Sequence, residues 1–233
     1  ERHEAWGSLA RKLAHEIKNP LTPLQLTIDR MKNKYTEQLV DQDQNNFKEN
    51  LKIINNQINQ IENLVNEFSD FARMPKPVFK NNNLITILSE SIKLCSELDK
   101  NIEIEFNRNN TEVLFHCDKE QLSRVFFNLI KNSVESIHQK SQKNLNFKKK
   151  ILIEISEKND HIKFILIDNG VGFNTVDNDI KKIINPYFTT KKNGTGLGLS
   201  IVNKIINDHN GTIKFIQQEI GAKIIINFTK NVY

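Results

Sequence analysis

Cysteine, proline, glycine and tryptophan are all scarce in this chain of 233 residues, at 2, 5, 8 and 1. So little glycine and proline excludes a collagen-like chain, and two cysteines cannot build a disulfide scaffold. Cys95 and Cys117 stand apart with no CxxC, which argues against a zinc site. A reducing compartment fits, with both thiols as packing residues. No apolar run approaches the ~18 residues of a membrane-spanning helix. Charge of one sign is in only slight excess: 33 basic against 28 acidic residues leave +5, with a pI of about 9.0. The chain is rich in Asn, Lys and Ile together, a drift that raises the pI without building a site. Its densest lysine run, Lys148 to Lys150, has few aromatics to stack bases, so no nucleic-acid partner is expected.

What is present reads as a globular protein of one or two domains. The first residue is Glu1, no signal peptide follows, and helical periodicity is running by Leu9, as expected of a piece of a longer chain. Residues 1–72 read as two long helices. Leu9, Leu13, Ile17, Leu21, Leu24, Ile28 and Met31 recur at steps of three or four. Phe47, Leu51, Ile54, Ile58, Ile61, Leu64, Phe68 and Phe71 do the same. The polar link from Tyr35 to Asp43 is short, so the helices should be antiparallel neighbours. One hairpin leaves much of that stripe uncovered, and dimerisation into a four-helix bundle would bury it. Pro75 and Pro77 stop the second helix, making 73–82 a linker.

From about 83 the pattern changes to mixed elements. Helices are expected over Leu84–Leu98, Gln121–His138 and Leu199–Asp208. Short strands are expected over Ile102–Phe106 and Val113–His116. Hairpins follow over Ile151–Ser156 with Ile162–Ile167, and over Thr212–Ile216 with Ala222–Phe228. Mixed strands and helices in one continuous segment, 83–233, indicate an α+β sandwich.

Chemistry concentrates in four places. On the first helix, His15 lies about 200° from Leu13 and Ile17, hence away from the apolar stripe. An exposed neutral imidazole is a nucleophile, and a neighbouring carboxylate, Glu16, could take the Nδ1 proton and stabilise the cation formed on attack. Asn19 lies one turn on, with an amide able to position water. Pro20 and Pro23 each remove a helix hydrogen bond, so a bend is expected just after the histidine. On the Gln121–His138 helix, Asn128 and Asn132 are i and i+4, and amide oxygens suit a Mg²⁺–phosphate cluster. Then DNGVG, Asp168 to Gly172, follows a strand: a carboxylate there can accept from an exocyclic amine, which suits adenine, and Gly170 and Gly172 admit a close ligand. Finally PYFTTK, Pro186 to Lys191, precedes GTGLG, Gly194 to Gly198. Glycines at two-residue spacing directly before a helix make an anion-binding loop, with Lys191 as a cation. This is neither a Walker loop nor a dinucleotide GxGxxG.

With these blocks in order, the chain resembles the sensor histidine kinases of two-component systems. His15 to Pro20 looks like their phosphoacceptor box, Asn128 to Asn132 the N box, Asp168 to Gly172 the G1 box, Pro186 to Lys191 the F box and Gly194 to Gly198 the G2 box. The stretches AHEIKNPLTPLQL, 14–26, and NEFSDFARMPKP, 66–77, are similar to the NtrY-type nitrogen-regulation sensors. The resemblance implies a helical-hairpin dimerisation and phosphotransfer domain, a four-helix bundle as the homodimer, followed by a Bergerat (GHKL) ATPase domain. It implies His15 as the phosphorylated residue, Glu16 as its base and Asn19 as the group serving partner dephosphorylation. It implies ATP with Mg²⁺, the metal on Asn132 with Asn128 beside it, and adenine on Asp168. Gly170, Gly172, Lys191, Gly194, Thr195, Gly196, Leu197 and Gly198 would shape the lid and phosphate contacts. The implied partner is the receiver domain of an NtrX-like response regulator. The implied parent protein sits at the inner membrane through upstream segments, with this part on the cytoplasmic side. Two departures stand out: Ser133 where Ala is usual after the N-box Asn, and Asn210 before Gly211 where a second Gly is common. Two rival readings are an ATP-driven clamp of chaperone or topoisomerase type, and a dimeric scaffold with a dead nucleotide site. His15-Glu16 beside the prolines argues against the first, and the intact glycines and asparagines against the second.

Overall fold

Helix α1 (Arg2–Tyr35) continues through Pro20 and Pro23, and α2 (Asp41–Ala72) ends before the proline pair. The computed structural model describes residues 2–39, 41–72, 74–142, 147–173, 180–185, 188–189, 191 and 194–230. A single 3-10 turn, Thr36–Gln38, joins the two helices, and Gln44 Nε2 donates back to the Thr36 carbonyl at 2.7 Å. The antiparallel seam is narrower than the apolar stripe. Ala14, Leu21 and Ile28 are buried on α1, and Leu51, Ile58 and Val65 on α2. Each set runs at seven-residue steps, the spacing at which one flank of a helix faces one neighbour. Leu13, Ile17, Leu24 and Met31 on α1, with Ile54, Ile61 and Leu64 on α2, remain exposed. Two helices can cover only one flank of each other, so the stripe divides into a filled seam and an open one. Above the seam, Gln25 Nε2 donates to Asn59 Oδ1 at 3.0 Å.

The chain divides into two compact units, Glu1–Pro75 with Lys191–Leu197, and Lys76–Thr190 with Gly198–Tyr233. In the second unit, five strands form a sheet in the order β2-β4-β5-β7-β6. They are β2 (Glu103–Arg108), β4 (Lys150–Lys158), β5 (His161–Asp168), β6 (Thr212–Gln217) and β7 (Ala222–Thr229). The β2–β4 pair is parallel, and the other pairs are antiparallel. Burial alternates along the central strands. Ile151, Ile153 and Ile155 of β4, Ile162, Phe164 and Leu166 of β5, and Ile224, Ile226 and Phe228 of β7 are all buried. This one-sided pattern is what a sheet covered on one face requires. The covering layer is α3 (Leu84–Ser96), α4 (Lys119–Ser141) and α5 (Gly198–Asp208), with Phe126 of α4 packed on Phe164 of β5 at 5.1 Å between ring centroids. The expected α+β sandwich is therefore present.

A small second sheet pairs β1 (Lys80–Asn83) with β3 (Leu114–Cys117). The sequence KNNN of β1 has no apolar alternation, so periodicity could not announce it. Its last residue turns the chain into α3: Asn83 Oδ1 accepts from Ile85 N at 3.0 Å as the N-cap. Asp118 caps α4 in the same way, accepting from Gln121 N at 3.0 Å, and also holds Val78 N at 2.8 Å. A short 3-10 helix at Ile180–Ile184 was likewise not expected from the sequence. Cys95 and Cys117 are free and buried. Burial pushes both thiols up to about 11, as befits packing residues. Asn210 takes φ 54°, a left-handed conformation that asparagine tolerates, which explains how the chain does without a second glycine before Gly211. Among the described residues, no helix is long and apolar enough to cross a membrane.

Candidate functional site

Asp168 is the last residue of the buried series along β5. Ile162, Phe164 and Leu166 face the helices, and two residues on, the same face receives a carboxylate that is only 3% exposed. Its oxygens are held separately: Oδ1 accepts from Gly170 N at 2.9 Å and Oδ2 from the Ser133 hydroxyl at 3.0 Å. Burial pushes the Asp168 carboxyl above its usual range. The Gly170 amide, the Ser133 hydroxyl, the Ala222 amide and the Lys140 charge pull the other way without cancelling it.

Helix α4 grips the loop that begins at Asp168. Ser133, Ser136 and Lys140 share one face of it. The Ser136 hydroxyl accepts from Val171 N at 3.0 Å, and Lys140 Nζ donates to the Asn169 carbonyl at 2.7 Å. Asn169 ties the loop to β4 as well, its Oδ1 accepting from Lys150 N at 3.0 Å. Gly170 is needed because the loop passes against helix backbone: a Cβ there would lie 2.2 Å from Ser136 Oγ and 2.7 Å from Ser136 C. At Gly172 the chain takes φ 74°, and Phe173 N then donates to Gln217 Oε1 at 2.6 Å.

The two N-box amides sit half-buried on α4. Gly198 opens α5, and a Cβ on it would meet only Asn128 Oδ1, at 3.9 Å. The fold thus brings Asn128 to the N-terminus of α5, where unsatisfied amides favour an anion. Among the described residues, no three His, Cys, Asp or Glu side chains gather where they could hold a metal. An amide oxygen such as that of Asn132, with a ligand's own phosphates, is a donor set that would suit Mg²⁺. The preceding loop belongs to the other compact unit. There Gly194 N donates to the Lys191 carbonyl at 3.2 Å, Gly196 takes φ 72°, Leu197 N donates to Thr195 Oγ1 at 3.4 Å, and Leu197 is buried. Pro186, Tyr187 and Thr190 of the F box lie outside the described residues.

His15, Glu16 and Asn19 are all exposed on α1, while their neighbour Ala14 is buried in the seam. The histidine therefore faces away from the partner helix, as the helical angle requires. The DNGVG motif marks Asp168, Gly170 and Gly172 but not the residues that hold them. Ser133 was visible only as an unusual side chain after Asn132. Ser136 and Lys140 could have been found by following the same helix face at i+3 and i+7. Gly221, of φ 79°, carries no motif at all.

The chain matches two families. The His Kinase A (phospho-acceptor) domain covers residues 5–77, and the histidine kinase-, DNA gyrase B- and HSP90-like ATPase covers 117–231. An NtrY-like sensor histidine kinase of Rickettsia felis is 37% identical over 98% of this chain and 37% of its own length. The nitrogen regulation protein NtrY of Azorhizobium caulinodans is 34% identical over 98% of this chain and 29% of its own. The chain spans about a third of the length of these relatives. Among solved structures, histidine kinase ThkA in complex with the response regulator protein TrrA is 27% identical, with a TM-score of 0.67. That match covers 99% of this chain and 64% of ThkA. The isolated ThkA catalytic domain matches with a TM-score of 0.57 and 28% identity, over 66% of this chain and 96% of its own.

Proposed function

The chain belongs to the histidine kinases, and from that premise we propose that it is a catalytic core that phosphorylates itself on His15 from ATP and passes the group to an aspartate of a response regulator. The observation that carries the reading is the Asp168 carboxylate, buried at a strand end and bonded to the Ser133 hydroxyl of α4. A desolvated carboxylate with donors on both oxygens has no use in a core, where an apolar residue would be cheaper. It has one where a ligand brings an amine. Adenine offers such an amine, and guanine offers a carbonyl at the same position.

The residues divide the work. Asp168 reads the base, and Gly170 and Gly172 keep the loop close. Asn128 and the N-terminus of α5 receive phosphate, and Lys191 and the glycines from Gly194 to Gly198 supply further phosphate contacts. Asn132 would hold Mg²⁺, which would supply charge neutralisation to the phosphates when bound. His15 attacks through Nε2: the P–N bond forms as the bond to the leaving diphosphate oxygen breaks, ADP departs, and the Nδ1 proton goes to Glu16. Asn19 orients water for dephosphorylation of the partner. The open apolar flank, Leu13, Ile17, Leu24, Met31, Ile54 and Ile61, supports a homodimer through residues 1–72, and ATP binding by 83–233 follows after a linker at 73–82. The likeness to NtrY relatives supports an NtrX-like response regulator as partner, and a parent protein holding this core on the cytoplasmic side of the inner membrane.

Incubation with γ-labelled ATP and Mg²⁺ tests this reading. Acid-labile, base-stable label is expected, absent in His15→Gln. Acid-stable label, or label that survives His15→Gln, would defeat it. An ATPase clamp would turn over ATP without labelling, and a dead scaffold would bind no nucleotide.

A further inference from the structure

We propose that Ser133 is a positioning residue for base selection: its hydroxyl fixes the Asp168 carboxylate in the orientation and charge state that accept the exocyclic amine. This rests on the reading of Asp168 as the group that meets the base.

The hydroxyls of helical serines ordinarily return to the carbonyl one turn back. Ser89 does so to the Ile85 carbonyl at 2.7 Å, and Ser91 to the Ile87 carbonyl at 3.0 Å. Ser133, 2% exposed, instead gives its proton to Asp168 Oδ2 at 3.0 Å. With Gly170 N on Oδ1 at 2.9 Å, both oxygens of the carboxylate are held by donors. Rotation about the Cβ–Cγ bond would break both. With the Ala222 amide as a further donor, the carboxylate's four lone-pair directions are not all taken, and one is left for what arrives. The remaining influences on Asp168 come from the Ala222 amide on β7 and the Lys140 charge on α4. Burial favours the protonated acid, which would present a donor to the incoming amine. The Ser133 hydroxyl is one of the few groups holding the acid ionised. Loss of that hydroxyl therefore does two things at once: it frees the carboxylate to turn, and it moves protonation toward neutral pH.

The test uses the full chain with ADP and GDP, which carry the two bases but cannot turn over to phosphorylate His15. Binding is measured from pH 5.5 to 8 for the wild type, Ser133→Ala, Ser133→Thr and Asp168→Asn. Ser133→Ala should bind ADP about threefold to tenfold more weakly at pH 7, discriminate less against GDP, and lose affinity on acidification at a midpoint about half a pH unit or more higher. Ser133→Thr keeps the hydroxyl and should retain the wild-type midpoint. A merely structural serine would change unfolding temperature and leave midpoint and discrimination alone. The proposal is overturned if Ser133→Ala matches the wild type in both, or if Ser133→Thr moves the midpoint as far as Ser133→Ala. If Asp168→Asn retains wild-type ADP affinity and selectivity, the base-reading role itself fails. If it loses them while Ser133→Ala does not, only the role of Ser133 fails.

Discussion

Gly221 lies so close to Asp168 that a Cβ built on it would stand 1.9 Å from the Asp168 carbonyl oxygen. Ala222, the next residue, is paired with Asp168 in the β5–β7 ladder. The turn between β6 and β7 is thus pressed against the backbone that presents the carboxylate. Gly221 also takes φ 79°, which costs any other residue about 1–3 kcal/mol of strain. Gly221→Ala should therefore lower stability by at least that amount, and weaken ATP binding tenfold or more by moving Asp168. Urea unfolding together with nucleotide titration checks both. A variant with unaltered ATP affinity would show that the turn does not position the carboxylate.

Asp168 should carry opposite effects on binding and on stability. Its folded pKa is raised above the ordinary value, chiefly by burial. A raised carboxyl means that the folded state binds the proton more tightly than the unfolded chain. Between the two pKa values stability falls as pH rises, and above both the penalty is present in full. At pH 7 the ionised group is therefore a cost to the apo protein. Asp168→Asn removes that cost, and the Ser133 hydroxyl can rotate to accept from the new amide. The variant should bind ATP at least tenfold more weakly, about 1.4 kcal/mol. Its apo melting temperature at pH 7 should be equal to or above the wild type. A large fall in both would mark Asp168 as a structural residue instead.

The dimer expectation rests on the flank that the hairpin leaves open. Ile54 and Ile61 are 47% and 42% exposed, so neither fills the seam made by Leu51, Ile58 and Val65. Placing a charge at both, Ile54→Asp with Ile61→Asp, should spare the hairpin and abolish association, since carboxylates opposed in a bundle core lack partners. Sedimentation should give dimers for the wild type at micromolar concentration and folded monomers for the variant. A monomeric wild type would remove the four-helix bundle from the scheme.

Several of these features were legible in the sequence, and the reason others were not is physical. The long period of the helices and the alternation along β4, β5 and β7 come from one-sided burial, which writes itself into residue order. Asp168 could even be placed on the core face, because it continues the series Ile162, Phe164, Leu166. The split of the apolar stripe could not be read, since Leu13 and Leu21 are equally apolar and only the partner helix decides which is covered. Strand β1 escaped because its four polar residues are held by ladder bonds to Leu114–Cys117, not by buried side chains. The grip of Ser136 and Lys140 on the loop after Asp168 joins residues more than 28 positions apart: the helix face puts both in line with Ser133, but only the fold shows which loop that face meets.

Asn19 should separate two reactions that share one helix face. His15, Glu16 and Asn19 are all exposed, so each can meet a group brought to the hairpin. Autophosphorylation needs a nucleophile and a base for its proton, and a neutral amide is neither. Hydrolysis of a partner's aspartyl phosphate needs an oriented water, and an amide one turn from His15 can hold it. Asn19→Ala should leave labelling of His15 within a few-fold while slowing partner dephosphorylation by about tenfold or more, near 1.4 kcal/mol of barrier. Glu16→Gln keeps the shape but loses the proton acceptor, so it should chiefly depress autophosphorylation. Both rates, measured for both variants with one response regulator, decide the matter. If Asn19→Ala lost as much autophosphorylation as Glu16→Gln, the amide would be part of the phosphorylation step and the two reactions would not be separable at this face.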